Sequence, residues 1–204
     1  MKKSLLLTGA LILATTSLSA MDTQMIVGLD ITSAKIKNNI GYNGTATVNG
    51  VNYSNLSSGV EERDTGFDLK VGVILNKSHR LTANYSKYSF KQSIDMNTIT
   101  ANYDYLFVTS SKFTPFIGAH VGVLKADFSG FNDTGSIYGI QGGSTYSLTE
   151  NIEFEIGLSY SKLNSTAATP TVSGTLGSVI LTNASAYVKT DNMVKTYVGL
   201  NYKF

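Results

Sequence analysis

The chain has no cysteine and no tryptophan, and it carries only two prolines and two histidines in 204 residues. Without cysteine there is no disulfide framework, no thiolate metal site and no lipid-modified N-terminal thiol. Beyond residue 20 no run of about 18 apolar residues occurs, so no segment reads as a membrane-spanning helix. Apolar residues spaced at i, i+3, i+4 and i+7 are missing too, which removes long amphipathic helices. What remains is a period of two, in a chain rich in Gly, Tyr, Phe, Thr, Ser and Asn.

Charge of one sign is also lacking. Lys2 and Lys3 precede the apolar run SLLLTGALILA, and small residues follow to Ser19 and Ala20. This is the layout of a secretory signal peptide, although Leu18 is bulkier than the residue usual at its place before cleavage. Setting 1–20 aside removes two of the 16 bases and leaves 14 against 14 acids. The basic balance belongs to the leader, and nucleic-acid binding, which needs a basic field, loses its support. The expected organisation is a signal peptide over 1–20 and one exported domain over 21–204.

Alternation bounded by turn residues marks eight strands: 25–37, 64–76, 80–92, 96–108, 114–128, 136–149, 152–163 and 192–204. Lys87 is an exception, since it falls on the apolar face of its strand. The turns NKSH, TSSK and TEN are short, whereas 38–62 and 164–191 are long, the asymmetry of an outer-membrane barrel. The stretch Ser178–Leu181 is too apolar for a plain exposed loop. It is expected to belong to an upward extension of the last hairpin, with a partner-binding site or an extra strand pair as the alternatives. FNDTGS at 131–136 reads as a turn built on Asx chemistry.

The polar face decides what the strands enclose. It holds Asp30, Asp68, Lys70, Arg80, Asp104, Glu153, Glu155, Lys195 and Lys203, with Gly28, Gly72, Gly118, Gly122, Gly157 and Gly199 between them. Small residues on the outside of a soluble barrel would pack against nothing. Inside a narrow barrel they leave room for long charged side chains. The apolar face has aliphatic centres and aromatic ends, such as Tyr103, Tyr105 and Phe107, which suits two membrane interfaces. The expected fold is all-β, an eight-stranded antiparallel up-and-down transmembrane barrel in a Gram-negative outer membrane.

The last eight residues, YVGLNYKF, place Gly199, Tyr202 and Phe204 as in the C-terminal assembly signal of bacterial outer-membrane proteins, with Tyr197 departing from it. Together with TPFIGAHVGV and GIQGGSTYSLTENIEFEIGLSYSKL, this resembles the outer-membrane β-barrel family related to the OmpA transmembrane domain and OmpX. The resemblance covers most of the chain beyond the leader. It implies lipid bilayer and lipopolysaccharide as surroundings, barrel-assembly machinery and periplasmic chaperones as partners, and host surface molecules as candidate ligands. No peptidoglycan-binding domain is expected after the barrel.

Chemistry on this scaffold is expected to be structural. His79 lies in a turn. His120 is expected in the lumen between Gly118 and Gly122, with no Ser two positions along to serve as a nucleophile. The acids are too dispersed for calcium, so neither a metal, a cofactor nor an enzymatic activity is expected. The nine charged residues of the polar face, with His120, are expected to form an ion-pair network that plugs the barrel, because buried charges are costly unless paired. Arg80, Asp104, Glu153 and Lys203 should lie near the periplasmic end. Asp30, Lys70, His120 and Glu155 should sit near the middle, and Lys195 higher. Function then falls to the segments 38–62 and 164–191, read as flexible surface loops for adhesion or envelope integrity. The competing reading is a narrow conduit for small or apolar solutes, like OmpW barrels.

Overall fold

A computed structural model of the chain describes residues 22–90, 94–128, 131–168 and 172–204. The segment 1–20 lies outside them. Nine antiparallel strands follow in order: β1 (Thr23–Val48), β2 (Val51–Leu75), β3 (His79–Phe90), β4 (Ile94–Leu106), β5 (Phe113–Phe128), β6 (Phe131–Ser147), β7 (Ile152–Ala168), β8 (Val172–Leu176) and β9 (Val179–Lys203). Each of β1–β7 pairs with its sequence neighbour, β7 pairs with β9, and β9 pairs back on β1. The result is a closed eight-stranded up-and-down barrel, with β8 an extra strand attached to β9 alone.

Closure is long-range. Val27 faces Tyr202 and Ile26 faces Lys203, and the Phe204 amide donates to the Met25 carbonyl at 3.0 Å. Asn151, in the β6–β7 turn, donates from Nδ2 to the Lys203 carbonyl at 2.8 Å. Every barrel strand therefore has two neighbours within the bilayer, the condition for β-structure in hydrocarbon. Among the described residues no helix is long and apolar enough to cross a membrane. The outer face is aliphatic: Ile31, Ile140 and Val121 are each more than 60% exposed, while the inward Asp30, Thr32 and His120 beside them are buried. Tyr103, Tyr105, Phe107, Tyr202 and Phe204 ring the end that bears the short turns, where amphipathic rings meet the interface.

The long segments differ from the expected loops. Residues 38–48 continue β1 and 51–63 continue β2, joined at Asn49–Gly50, where both φ values are positive (49° and 79°). That is the two-residue hairpin turn for which Asn-Gly is the preferred pair, because its twist matches that of the strands. The second long segment is strand as well: β7 runs to Ala168, β8 and β9 form a hairpin through Gly177–Ser178, and β9 is continuous to Lys203. Ser178–Leu181 thus lies at the start of β9, where Ile180 faces Thr47 on one side and Thr175 on the other. The stretch 131–136 is also strand, its Phe131 opposite Phe128, so its backbone is satisfied by β5 rather than by local Asx turns.

Inward glycines are used where a side chain needs the room. Gly157 faces Tyr197 across the β7–β9 pair, and a Cβ on Gly157 would run into the Tyr197 ring and hydroxyl. Gly157→Ala is expected to destabilise the barrel by roughly 1–3 kcal/mol through overpacking. The penalty should shrink in a Tyr197→Leu background, read as a coupling in a double-mutant cycle of urea unfolding in lipid vesicles. Equal penalties in both backgrounds would dissociate the glycine from the ring.

Candidate functional site

The barrel interior holds one continuous chain of ion pairs. Asp30 on β1 accepts from Lys70 on β2 at 3.0 Å, and Lys70 reaches across to Glu155 on β7 at 3.0 Å. Glu155 also takes Arg80 of β3 at 2.7 Å, and the Arg80 Nε donates to Asp104 of β4 at 2.9 Å. These five side chains are at most 4% exposed. Lys195 pairs with Asp68 at 2.6 Å, as a separate bridge between β9 and β2. Lys203 and Glu153 pair at 2.8 Å close to the periplasmic mouth, apart from the central chain. Alternation explains the convergence, since all these residues fall on the inward phase of their strands.

Neutral side chains complete the cage, and the sequence reading did not single them out. Gln141 donates to Asp104 at 2.6 Å, Asn201 donates to Glu155 at 2.6 Å, and the Tyr88 hydroxyl donates to Asp68 at 3.3 Å. The Tyr197 ring lies 5.6 Å from the Lys70 ammonium and 5.4 Å from that of Lys195, within cation–π range. Arg80 stacks over Phe116 at 4.5 Å. Tyr197, which departs from the usual C-terminal pattern, is therefore an inward residue of the charged tier. The free cavity left among these groups is about 10 Å³, room for one water at most.

His120 stands outside the ion pairs. It forms a hydrogen bond at 2.9 Å with the Ser161 hydroxyl of β7, two strands away. A search for Ser along the His120 strand misses this neighbour, because the contact passes over Gly139 of β6, the register partner of both residues. Both residues are buried, and neither reaches the lipid face. His79 is in contact with the Tyr103 hydroxyl at 2.8 Å on the outside of the barrel.

Among the described residues the interior ion pairs gather in a central layer, with Lys203 and Glu153 at the mouth, and do not fill the lumen along its whole length. Toward the periplasm, Ile26, Ile74, Leu106 and Phe116 point inward and pack with Tyr197. Toward the outside, Ala34, Ile36, Tyr88, Met96, Leu124, Ala126, Ile137, Leu163 and Met193 form a second apolar tier, each at most 2% exposed. The ion pairs are thus enclosed between two greasy layers. Water is excluded on both sides, which strengthens the pairs and raises the penalty for losing one partner.

The extracellular side carries a second constellation. Residues 38–48 of β1 pair with β2 on one side and with β9 on the other, from Asn38↔Thr190 to Val48↔Val179. The two long segments are therefore one projecting sheet, ordered β2–β1–β9–β8. At about 3.3 Å per residue the projection is on the order of 35 Å of strand. Asn38 accepts from Thr190 at 2.8 Å and Asn39 donates to Asp191, which ties β1 to β9 at its base. β3 pairs with β2 only from Gly66 downward, so among the described residues Val51–Thr65 has no strand on its outer side. Residues 51–60 carry neither charge nor proline, and Val51, Asn52, Tyr53 and Ser54 are exposed.

Glu155 holds two cations, so Glu155→Gln is expected to destabilise the barrel by roughly 3–5 kcal/mol. Lys203→Gln, at a mouth that water reaches, should lose about 1 kcal/mol. Urea titration in vesicles, scored by the gel mobility of folded and unfolded forms, checks the order. A reversal would place the main electrostatic support at the rim.

Comparison with known proteins places this architecture. Residues 71–180 match the family model described as Opacity family porin protein. No curated protein sequence matches the chain. Among solved structures, neisserial surface protein A is similar at 18% identity and a TM-score of 0.59, with 88% of this chain and 97% of that one covered. The outer membrane protein OprG of Pseudomonas aeruginosa is similar at 16% identity and a TM-score of 0.50, covering 89% of this chain and 95% of that one. At these identities the likeness is one of fold. With the closed barrel, the lipid-facing aliphatic band and a family model covering more than half of its length, the chain belongs to the Opacity porin family and resides in the Gram-negative outer membrane.

Proposed function

We propose that this barrel is a surface-interaction protein whose projecting sheet binds an extended segment of an extracellular protein. The observation that carries the reading is the free edge of β2 over Val51–Thr65. An unpaired edge is a template for another strand, and native proteins ordinarily blunt such edges with Lys, Pro or a covering element. Residues 51–60 have none of the first two. Strand addition draws affinity from main-chain hydrogen bonds and specificity from alternate side chains, here including the exposed Val51 and Tyr53. Host surface molecules are the partners that this position makes accessible. Periplasmic chaperones and barrel-assembly machinery would deliver the chain, reading the strand that carries Gly199, Tyr202 and Phe204. No reaction is assigned to the site.

The conduit reading finds less support. Two apolar tiers and a charged layer with about 10 Å³ of free space argue against a continuous aqueous path through the described residues. Purified protein in planar bilayers is expected to give no conductance steps in the nanosiemens range. Such steps would replace the sealed barrel with an open one.

Placing gatekeepers on the free edge tests the main reading. Ser54→Lys with Ser58→Lys should leave surface display and heat-modifiable migration unchanged, because both positions are exposed. Adhesion of expressing bacteria to cultured epithelial cells should fall to the level of cells without the protein. Full adhesion by this variant would remove the edge from the mechanism.

A further inference from the structure

Lys87 interrupts the lipid-facing phase of β3, and neither the ion-pair core nor the projecting sheet accounts for it. Register places it in a row. Lys87 on β3 faces Asn97 on β4, and Asn97 faces Lys125 on β5. Both lysines are exposed, and all three residues lie on the outer surface, in phase with Tyr85, Ile99 and Val123. A second row crosses the other side of the barrel: Lys37 on β1 faces Asn192 on β9, and Asn192 faces Lys162 on β7. Arg63, opposite Lys35, adds another exposed cation beside it. Each row therefore has the same composition, two lysines flanking an asparagine on three adjacent strands.

The height of the rows is informative. Counted from the first residue of its strand, Lys87 stands 8 residues up on β3, Lys162 10 on β7, Lys125 12 on β5 and Lys37 14 on β1. With about 3.3 Å per residue and a strand tilt near 40°, the four lysines lie on the order of 20–35 Å above the periplasmic rim, each row slanting across the top of the apolar band of an outer-membrane barrel. Directly beneath the first row are the exposed Tyr85, Ile99 and Val123, and beneath the second are Val194 and Tyr160. Acids stand on the far side: Asp95 and Asp127 occupy the register position one repeat above the first row. Glu61, opposite Lys37, pairs with Lys35 at 2.6 Å, a hydrogen bond that holds its carboxyl below the usual range. At the periplasmic rim Lys77 lies 3.6 Å from Asp22 instead.

From this geometry we infer that the two Lys–Asn–Lys rows are seats for the phosphate groups of lipid A in the outer leaflet, its acyl chains lying on the apolar positions below. The asparagine amide between the cations can donate to a phosphate oxygen, and the lysines supply charge-assisted bonds. A peptide or polysaccharide ligand would use the cations but not the lipid-facing residues under them. This assignment does not depend on the free β2 edge.

Native mass spectrometry of the purified barrel in detergent micelles tests it, with bisphosphorylated lipid A, dephosphorylated lipid A and phosphatidylglycerol as probes. Two bisphosphorylated lipid A molecules should be retained per barrel, and the dephosphorylated form should be lost. Lys87→Gln with Lys125→Gln should abolish one seat, and Lys37→Gln with Lys162→Gln the other, each cation being worth about five-fold in affinity near an anionic surface. These outward substitutions leave the interior untouched, and heat-modifiable migration checks that each variant is folded. Retention of dephosphorylated lipid A at the same level, equal retention of phosphatidylglycerol, or unchanged binding by folded variants would each overturn the assignment.

Discussion

In hydrocarbon an unpaired backbone amide or carbonyl has no water to turn to, and the pairing of β1 with β9 removes the last unpaired edge. Much of the structure follows from that closure. Eight strands make a narrow tube whose interior has to be filled by side chains. The filling is layered: aliphatic residues and Phe116 below, ion pairs in the centre, aliphatic and methionine side chains above. Glu155, bound by Lys70, Arg80 and Asn201, joins strands that are far apart in sequence and on different sides of the wall.

The same constraint lapses above the bilayer. There water satisfies free edges, and among the described residues β2 over Val51–Thr65 stands without an outer neighbour. The contrast separates two jobs along single strands. The lower part of β2 is wall, paired on both sides, and its upper part pairs with β1 alone among the described residues. β1 and β9 carry the sheet through both regimes, so the projecting part inherits the rigidity of the barrel instead of hanging from it on loops.

Period-two patterning made the barrel legible because lipid outside and ion pairs inside demand opposite side chains on successive residues. The phase of Asp30, Lys70, Arg80, Asp104 and Glu155 was readable for this reason, although their partners were not. The lower apolar tier escaped because there both phases are greasy, and the upper one because there the phases invert, with Lys37, Lys87, Asn97 and Lys125 outward beside the inward Ile36, Tyr88, Met96 and Leu124. Met25–Ile26–Val27, Val73–Ile74–Leu75 and Tyr105–Leu106–Phe107 are runs of three, and in each the central residue points inward. Such runs at the ends of strands were the available signal. The projecting hairpin was missed through its polar composition, although Asn49–Gly50 between two alternating stretches marked its turn.

Alternation along the strands, a polar face on which glycines sit between charged residues, and short turns alternating with long segments were all legible in the order of residues. These are local properties, set by residue period and turn chemistry. The folded barrel was needed to see that Glu155 serves two cations, that Ser161 meets His120, that 38–48 and 179–190 share one sheet, and that Lys87 and Lys125 flank Asn97. Each of those depends on inter-strand register. Register is fixed by closure of the whole barrel and not by any strand alone.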